Sequence, residues 1–460
     1  MDVLGAYVFM PPLIGVKLML DMPFFTQIDP RAKIKGSRDP LGVQPVWSRM
    51  GRQVVRNLTT VTTSLRGFTT LLLGLYVAER VTDDATAEEG EFLAAFLKFE
   101  QLAAYSRVAI SQQTGGAIGA NGEDRENTIR GIRRVERKLI EGKGKVQISA
   151  NSEDQILSNQ KTYGLWGLYS VAARNSGLLE QGSSRLTAKA REFIELNYRS
   201  RLQSADHNAD VLKLFRSKFV FEPKSKHAKL ARNLAEMLGP TVTKLEQEFY
   251  NKHLITCLSD HPNEIQERLW KQMRRTSSED GFSCDELLQI IGRCQAEGDD
   301  ELARRLDHIR VTESVIAPAS RLFSFVLGQD GQALDAIALN VQDTWGARLS
   351  HIAPDSFISA LSGIGEELGV EKCNRLGHLA KALAAGDYGA AIELLLAQNR
   401  EVMRERGGDA WVKMKGSRID VRLRAEAGSL PPGEVLPTLW MYNYFLNSLN
   451  QIGFEIERGA

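Results

Sequence analysis

Clusters of lysine and arginine are the feature of this sequence whose residue types and spacing could do chemistry. Residues 31–66 contain eight Lys or Arg against a single acid, Asp39, and residues 211–232 contain seven against a single acid, Glu222. A third cluster lies at residues 130–138. Cations grouped in this way bind phosphate groups, so the three clusters predict a surface for a polyanion such as nucleic acid.

The charge of the whole chain does not by itself attract a polyanion. Its 460 residues include 58 Lys or Arg and 57 Asp or Glu, so any nucleic-acid surface must be local. The alternative is that the basic clusters pair with acids of the same chain, such as those in the acidic stretch 279–313, or simply face solvent. The sequence leaves both interpretations open.

A run of glycines precedes the basic cluster at 130–138. Backbone N–H groups of a glycine-rich loop, together with the positive end of the following helix, can cradle a phosphate. The run has neither the Gly-x-x-x-x-Gly-Lys-Ser/Thr pattern nor a strand-led Gly-x-Gly-x-x-Gly, so a flexible connection is the simpler interpretation. An alternative function would use this segment as a diverged metal-dependent nuclease or phosphoryl-transfer site, with Asp124 and Glu126 as its acids. The glycines are Gly115, Gly116, Gly119 and Gly122.

No set of side chains has the spacing of an established metal or catalytic site. His253, Cys257 and His261 recur every four residues and could share one helix face, but Cys257 also fits an apolar stripe with Leu254 and Leu258. We therefore predict no metal site and no cofactor, and we assign no catalytic residue. The absence of hydrolase, zinc-protease and nucleotide-binding motifs favours a non-enzymatic protein.

Composition is typical of a globular intracellular protein. Residues of the AVILMFWYC group make up 43% of the chain and charged residues 25%, and the four cysteines lie far apart, as expected of reduced thiols in a cytoplasm. Residues 3–20 are apolar, but Pro11, Pro12 and Lys17 interrupt them, so we do not expect a membrane partner. We expect residues 1–22 to form a buried first element or to precede the true start of translation.

Apolar residues recur at helical spacing through most of the chain, which predicts a mainly α, multi-domain protein. Segments around Gly298 and Gly386 each predict a helical hairpin, and residues 411–424 alternate like a short β-hairpin with Gly416 at its turn. The expected division is an N-terminal helical domain at 23–150, a small module at 151–205, a helical domain at 206–310 and a helical C-terminal domain at 311–460 that contains the β-hairpin.

Residues 155–200 interrupt the helical pattern. A helix predicted over 162–175 is followed by a short strand, a polar turn and a second helix, which Thr187 is placed to cap. Gly177-Leu178 and Leu186-Thr187 are similar to the steps at which winged-helix sequences enter the first wing strand and the next helix, so the segment resembles a winged helix. The resemblance implies that the helix enters the major groove of DNA and that the turn at 180–185 contacts the DNA backbone.

The cations in and near this segment form the predicted nucleic-acid site, because phosphate contacts require Lys or Arg. They are Lys161, Arg174, Arg185, Lys189 and Arg191 in the segment, and Arg130, Arg133 and Arg134 in the cluster at 130–138. Two further stretches, residues 36–52 and 57–73, resemble bacterial proteins from phage-defence and restriction loci, without a defined family motif.

Together these observations predict a cytoplasmic, non-enzymatic nucleic-acid-binding or adaptor subunit of a bacterial multi-protein assembly with a role in antiviral defence. DNA is favoured over RNA as the nucleic acid, and a protein partner is expected. A purely protein-binding helical scaffold is the remaining alternative.

Overall fold

The computed structural model of the chain describes residues 39–82, 89–114, 129–204, 211–256, 264–276, 282–423 and 427–458. Within these residues the protein has 19 α-helices and two small antiparallel sheets of two strands each, which confirms the predicted mainly α fold class. None of the described helices combines the length and the hydropathy that crossing a bilayer requires. The apolar segment 3–20 lies outside the described residues.

The secondary-structure elements before residue 256 include both strands of the first sheet and a π-helical turn, Asn251–Ile255. In chain order they are α1 (Gln44–Arg52), α2 (Leu65–Val81), α3 (Glu89–Thr114), α4 (Ile132–Glu141), β1 (Val146–Ile148), α5 (Gln160–Tyr163), α6 (Leu165–Asn175), α7 (Ala188–Ser204), α8 (Val211–Leu214), β2 (Phe219–Phe221), α9 (Ala228–Met237) and α10 (Lys244–Tyr250).

The elements after residue 263 include both strands of the second sheet and a 3-10 helix, Gly433–Thr438. In chain order they are α11 (Glu264–Met273), α12 (Cys284–Ala296), α13 (Asp300–Val326), α14 (Leu334–Trp345), α15 (Pro354–Ser362), α16 (Gly365–Leu368), α17 (Val370–Ala385), α18 (Tyr388–Glu405), β3 (Val412–Lys415), β4 (Arg418–Val421) and α19 (Leu446–Glu457).

The described chain divides into two compact units. The first contains residues 39–46 and 314–437, and the second contains residues 47–313 and 438–458. The change of unit between residues 313 and 314 lies close to the expected boundary at 310, whereas no change of unit occurs at 150 or 205. Residues 47–313 fall in a single unit because α2 contacts α3, α6 and α7, and α3 also contacts α9, so helices from three of the expected domains pack on one another.

Helix α2 forms the centre of the second unit because it is buried on every side. All of its residues from Leu65 to Ala78 are buried. Two glycines allow neighbouring helices to approach closely: a Cβ on Gly67 would lie 2.5 Å from the Tyr169 ring, and a Cβ on Gly74 would lie 2.9 Å from the Phe96 ring. Helix α2 therefore packs directly against α6 and α3.

A buried ion pair fixes α10 against α2. The Arg66 guanidinium binds the Glu246 carboxylate, with side-chain exposures of 6% and 3%, and also donates to the carbonyl oxygens of Gly239 and Thr241 at 2.6 Å each. Burial alone would raise the pKa of Glu246, but the hydrogen bond and charge of Arg66 hold that pKa below its usual value. Glu246 also completes a capping box with Thr243 at the start of α10.

The first unit contains the predicted helical hairpin at Gly386 and the predicted β-hairpin. Helix α17 ends at Gly386, in the left-handed region at φ 70°, and the Asp387 side chain caps α18. Strands β3 and β4 pair antiparallel, with Lys415 opposite Arg418 and Gly416 (φ 63°) starting the two-residue turn. Ile419 and Val421 are buried and Arg418 is exposed, as the alternation in the sequence predicts.

Candidate functional site

The segment that resembles a winged helix has a helix, a polar turn enclosed by an isolated β-bridge, and a second helix, where the sequence predicts a helix, a short strand, a polar turn and a helix. Helix α6 ends in a Schellman motif, in which the N–H of Gly177 donates to Arg174 O at 3.0 Å and the N–H of Leu178 donates to Ala173 O at 2.9 Å. Leu179 and Leu186 then form an isolated antiparallel bridge. The Thr187 hydroxyl accepts the Ala190 N–H at 3.3 Å, which confirms Thr187 as the cap of α7.

Helix α6 is built into the interior of the second unit. Tyr169 is buried, packs edge-on against Phe68 and accepts the Ser64 N–H through its hydroxyl. Trp166 packs against the Phe92 and Phe96 rings. The exposed positions of α6 are Gly167, Val171 and Asn175, and none of them is a cation. Within α6 the exposed surface therefore offers little for the base-edge contacts that a recognition helix makes.

Three of the predicted phosphate-binding arginines in this segment bind other parts of the protein. The Arg191 guanidinium lies 3.0 Å from the Glu79 carboxylate, which also accepts the Leu186 N–H at 2.8 Å. The Arg185 guanidinium lies 4.4 Å above the centre of the Phe92 ring. The Arg174 Nε donates to the Ser183 carbonyl oxygen at 3.2 Å. These bonds hold the turn at 180–185 on the body of the unit.

The other predicted cations divide into two groups. Arg130 donates to Val61 O at 3.3 Å and Arg134 donates to Glu153 O at 3.4 Å, so both brace loops against the unit. The side chains of Arg133, Lys161 and Lys189 are exposed. The predicted residues therefore do not form one cluster of accessible cations, because most of their charged groups are engaged in internal contacts.

Arg130 also lines an interior pocket next to the start of α6. The pocket has a volume of only ≈ 20 Å³ and is bounded by Glu100, Arg107 and Arg130 together with small and apolar side chains. Glu100 accepts the Leu165 N–H at 2.7 Å and the Gln160 side-chain amide at 2.8 Å, and burial raises its pKa to about 7. Burial lowers the pKa of Arg107 to about 10. The glycine run and the acids Asp124 and Glu126 lie outside the described residues.

His253 lies in the π-helical turn and contacts the backbone through Nδ1. Its Nδ1 is 2.9 Å from the Ser176 carbonyl oxygen, and burial lowers its pKa. Asn57 donates to the carbonyl oxygens of His253 (3.1 Å) and Leu254 (3.0 Å), and Gln266 donates to that of Leu254 (2.7 Å), so the widened turn is satisfied from outside. Cys257 and His261 lie outside the described residues, within which no group of His, Cys, Asp and Glu has the arrangement of a metal site.

Two of the four cations that the structure describes in the basic cluster at 31–66, Arg52 and Arg66, are engaged within the fold. Arg66 is in the buried ion pair with Glu246. The Arg52 guanidinium lies 3.8 Å from the centre of the Phe445 ring and donates to the carbonyl oxygens of Val55 and Arg56, and burial lowers the pKa of Arg52 to about 10. This cluster therefore stabilises the fold at these two arginines and does not present them to a ligand.

The basic cluster at 211–232 is different, because its cations point to solvent. Strand β2 turns Phe221 into the core, and Phe215 ahead of it is also buried, which leaves the cations between and after them outside. Helix α9 buries Leu230 and Leu234 on the side that faces α3 and exposes the opposite side. The exposed cations are Arg216, Lys218, Lys224, Lys226, Lys229 and Arg232. We call these six residues the 216–232 surface.

Glu222, the single acid of residues 211–232, is bonded to residues outside the 216–232 surface. Glu222 accepts the Ser225 hydroxyl at 2.9 Å and the Lys145 ammonium at 3.3 Å, and these contacts lower the pKa of Glu222. The backbone N–H of Glu222 donates to His227 Nδ1 at 3.1 Å, and the His227 N–H donates back to Glu222 O at 3.0 Å, which closes the turn. Glu222 is therefore used to shape the turn that carries Lys224 and Lys226 outward.

The 216–232 surface thus keeps its positive charge. Within the described residues none of its six cations forms an ion pair with a carboxylate, in contrast to Arg66 and Arg191. The sequence already indicates this surface, since residues 211–232 contain seven Lys or Arg and one acid. The predicted nucleic-acid site residues lie instead in the winged-helix-like segment and in the cluster at 130–138. No protein-family profile, curated protein or solved structure matches this chain.

Proposed function

We propose that this protein binds nucleic acid through the phosphate backbone and that the 216–232 surface is the contact. The observation that carries the proposal is a group of six exposed cations within residues 211–232, whose single acid, Glu222, is bonded to Ser225 and Lys145. Exposed Lys and Arg that neutralise phosphates release counterions, which is the dominant source of sequence-independent affinity for nucleic acid.

The contact is expected to read the backbone and not the bases. The aromatic residues interleaved with these cations are turned away from solvent: Phe215 and Phe221 are buried, and Phe219 packs against Phe215 and His227. Binding of single strands depends on exposed rings on which bases stack. Duplex nucleic acid has a higher charge density along its axis, so we expect it to bind more tightly than a single strand of the same length, with little sequence preference.

Charge-neutral variants of the full-length chain test the proposal. In K224Q/K226Q/K229Q, three lysines of the 216–232 surface lose their charge, and we expect affinity for a labelled DNA duplex to fall at least about tenfold. The matched control is K161Q/K189Q/K252Q, which removes the same charge from three exposed lysines of the same unit, including two of the residues first predicted to bind DNA. An equal loss of duplex affinity in both variants would refute the assignment of the 216–232 surface. A loss of duplex affinity in the control alone would favour the winged-helix-like segment as the DNA contact.

A protein-docking role for α5 and α6 is the second candidate function, and one observation favours it. Tyr163 and Val171 are 55% and 49% exposed, so this segment presents apolar side chains where a DNA-reading helix would present polar ones. The candidate predicts that V171D abolishes association with a co-purifying protein without changing affinity for duplex DNA. Loss of duplex binding in V171D would instead support DNA contact by this segment.

A further inference from the structure

The first unit has a cationic groove of its own, between the end of α18 and strand β3. The groove has a volume of ≈ 380 Å³ and is open to solvent. Its charged lining consists of Arg400 and Arg404 from α18, Lys413 from β3, and Asp409 from the connection between them. We propose that this groove is a phosphate-binding site.

Local folding places the three cations on the same side. Arg400 and Arg404 are one turn apart on α18, whose opposite side is buried through residues such as Leu395 and Val402. In β3 the buried Val412 alternates with the outward-facing Lys413. The start of β3 is tied to α18, because the Asn399 side chain accepts the Trp411 N–H at 2.9 Å. The relative position of the cations therefore follows from the packing of the unit and not from flexible side chains alone.

The acids at the groove do not cancel its positive charge. Asp409 is bonded to Arg422 at 3.0 Å and lies 4.0 Å from Lys413. Glu401 is bonded to Arg404 at 2.7 Å, and this hydrogen bond lowers the pKa of Glu401. The lining of the groove itself thus contains three cations, Arg400, Arg404 and Lys413, and one carboxylate, that of Asp409. Arg400 is exposed and forms no ion pair with any described residue, so its planar fork of donors remains available to an oxyanion.

The end of a helix explains only part of this arrangement. A cation in the last turn of a helix offsets the partial negative charge of the exposed carbonyl groups there, and Arg404 occupies that position in α18. Arg400 lies a full turn earlier and Lys413 belongs to a strand, so neither is accounted for in this way. Two arginines and a lysine around an open cavity match the tetrahedral, multiply charged shape of a phosphate group better than a single carboxylate.

The phosphate could belong to a nucleic-acid backbone or to a small phosphorylated molecule. Two probes distinguish these sources: inorganic pyrophosphate, titrated by isothermal calorimetry, and a labelled blunt DNA duplex, followed by fluorescence anisotropy. The variant is R400Q/K413Q in the full-length chain. The matched control is R321Q/K381Q, which removes one Arg and one Lys charge from exposed positions of the same unit that do not line the groove. The charge-retaining variant R400K/K413R reports whether any loss reflects charge.

We expect R400Q/K413Q to weaken binding of at least one probe about tenfold, with less than about twofold change in the control and near-normal binding in R400K/K413R. Loss of pyrophosphate binding alone identifies a small phosphorylated ligand, and loss of duplex binding identifies a nucleic-acid backbone. Unchanged binding of both probes, or equal losses in R400Q/K413Q and the control, overturns the proposal. The proposal for the groove does not depend on the 216–232 surface. K224Q/K226Q/K229Q tests the 216–232 surface and R400Q/K413Q tests the groove, so either proposal can fail without the other.

Discussion

The Arg191 guanidinium lies 3.0 Å from the carboxylate of Glu79, although 112 residues separate the two in the chain. The same carboxylate accepts the Leu186 N–H at 2.8 Å, so one acid on α2 holds both the bridge and the start of α7. An arginine that the sequence offers as a phosphate contact is therefore a structural residue in the folded protein.

This relationship predicts that R191A affects stability and not binding. Removal of the guanidinium leaves the mostly buried Glu79 with one partner fewer, and we expect a loss of about 1 kcal/mol, with the melting temperature falling by about 2–4 °C. Affinity for duplex DNA should stay within about twofold of the wild type. Thermal melting and fluorescence anisotropy of R191A, with the exposed neighbour variant K189A as control, check both statements. A DNA-binding defect in R191A as large as that of K224Q/K226Q/K229Q would contradict them.

The Asn57 side chain should be a major source of stability for the second unit. It is fully buried and donates to the carbonyl oxygens of His253 and Leu254 in the π-helical turn. N57A removes these bonds and opens a small cavity, so we expect a loss of about 2–3 kcal/mol and a melting temperature lower by about 5 °C or more. The exposed variant N151A is the control. Equal melting temperatures for the two variants would show that Asn57 does not stabilise the turn.

Glu313 predicts a pH-dependent contribution to stability. It is buried, accepts the Tyr442 N–H at 3.1 Å and the Tyr444 hydroxyl at 2.7 Å, and burial raises its pKa to about 7. The folded protein therefore keeps the proton that the unfolded chain loses at about pH 4–5, so this contribution is complete at lower pH and is lost as the pH rises to about 7.

The variant E313Q isolates this contribution, because glutamine is uncharged and can still accept the N–H groups and donate to the Tyr444 hydroxyl. We compare the free energy of unfolding of E313Q with that of the wild type at each pH. This difference should be more favourable to E313Q at about pH 8 than at about pH 5, by about 1–3 kcal/mol. Denaturant unfolding of both proteins at the two pH values measures the difference. Glu100, which is also buried with a raised pKa, is present in both proteins and does not enter the comparison. A stability difference that does not change with pH would contradict the assignment.

Local features of the fold could be predicted from the sequence because neighbouring residues determine them. The end of α6 at Gly177, the cap at Thr187 and the turn of the β-hairpin at Gly416 each depend on one or two residues with distinct backbone preferences. The helical hairpin at Gly386 likewise depends on one glycine, which ends α17 in the left-handed region. These features occur at the positions that the sequence indicates.

The partners of the cations could not be predicted, because they are distant in the chain. Arg66 and Glu246 are 180 residues apart, and helical periodicity does not show that the two meet in the core. It also does not separate an arginine that is buried in an ion pair, such as Arg66, from cations that face solvent, such as Lys224 and Lys226. The clusters at 31–66 and 211–232 look alike in composition, and only the packing of α2, β2 and α9 distinguishes their roles.

The salt dependence of DNA binding tests the central claim most directly. The logarithm of the affinity for a DNA duplex should fall linearly with the logarithm of the salt concentration, with a slope whose magnitude is about 0.9 for each phosphate neutralised. In K224Q/K226Q/K229Q that magnitude should fall by about 2–3, and in K161Q/K189Q/K252Q it should stay within about 1 of the wild type. A slope that is the same in the wild type and K224Q/K226Q/K229Q would contradict the claim that the 216–232 surface binds the phosphate backbone.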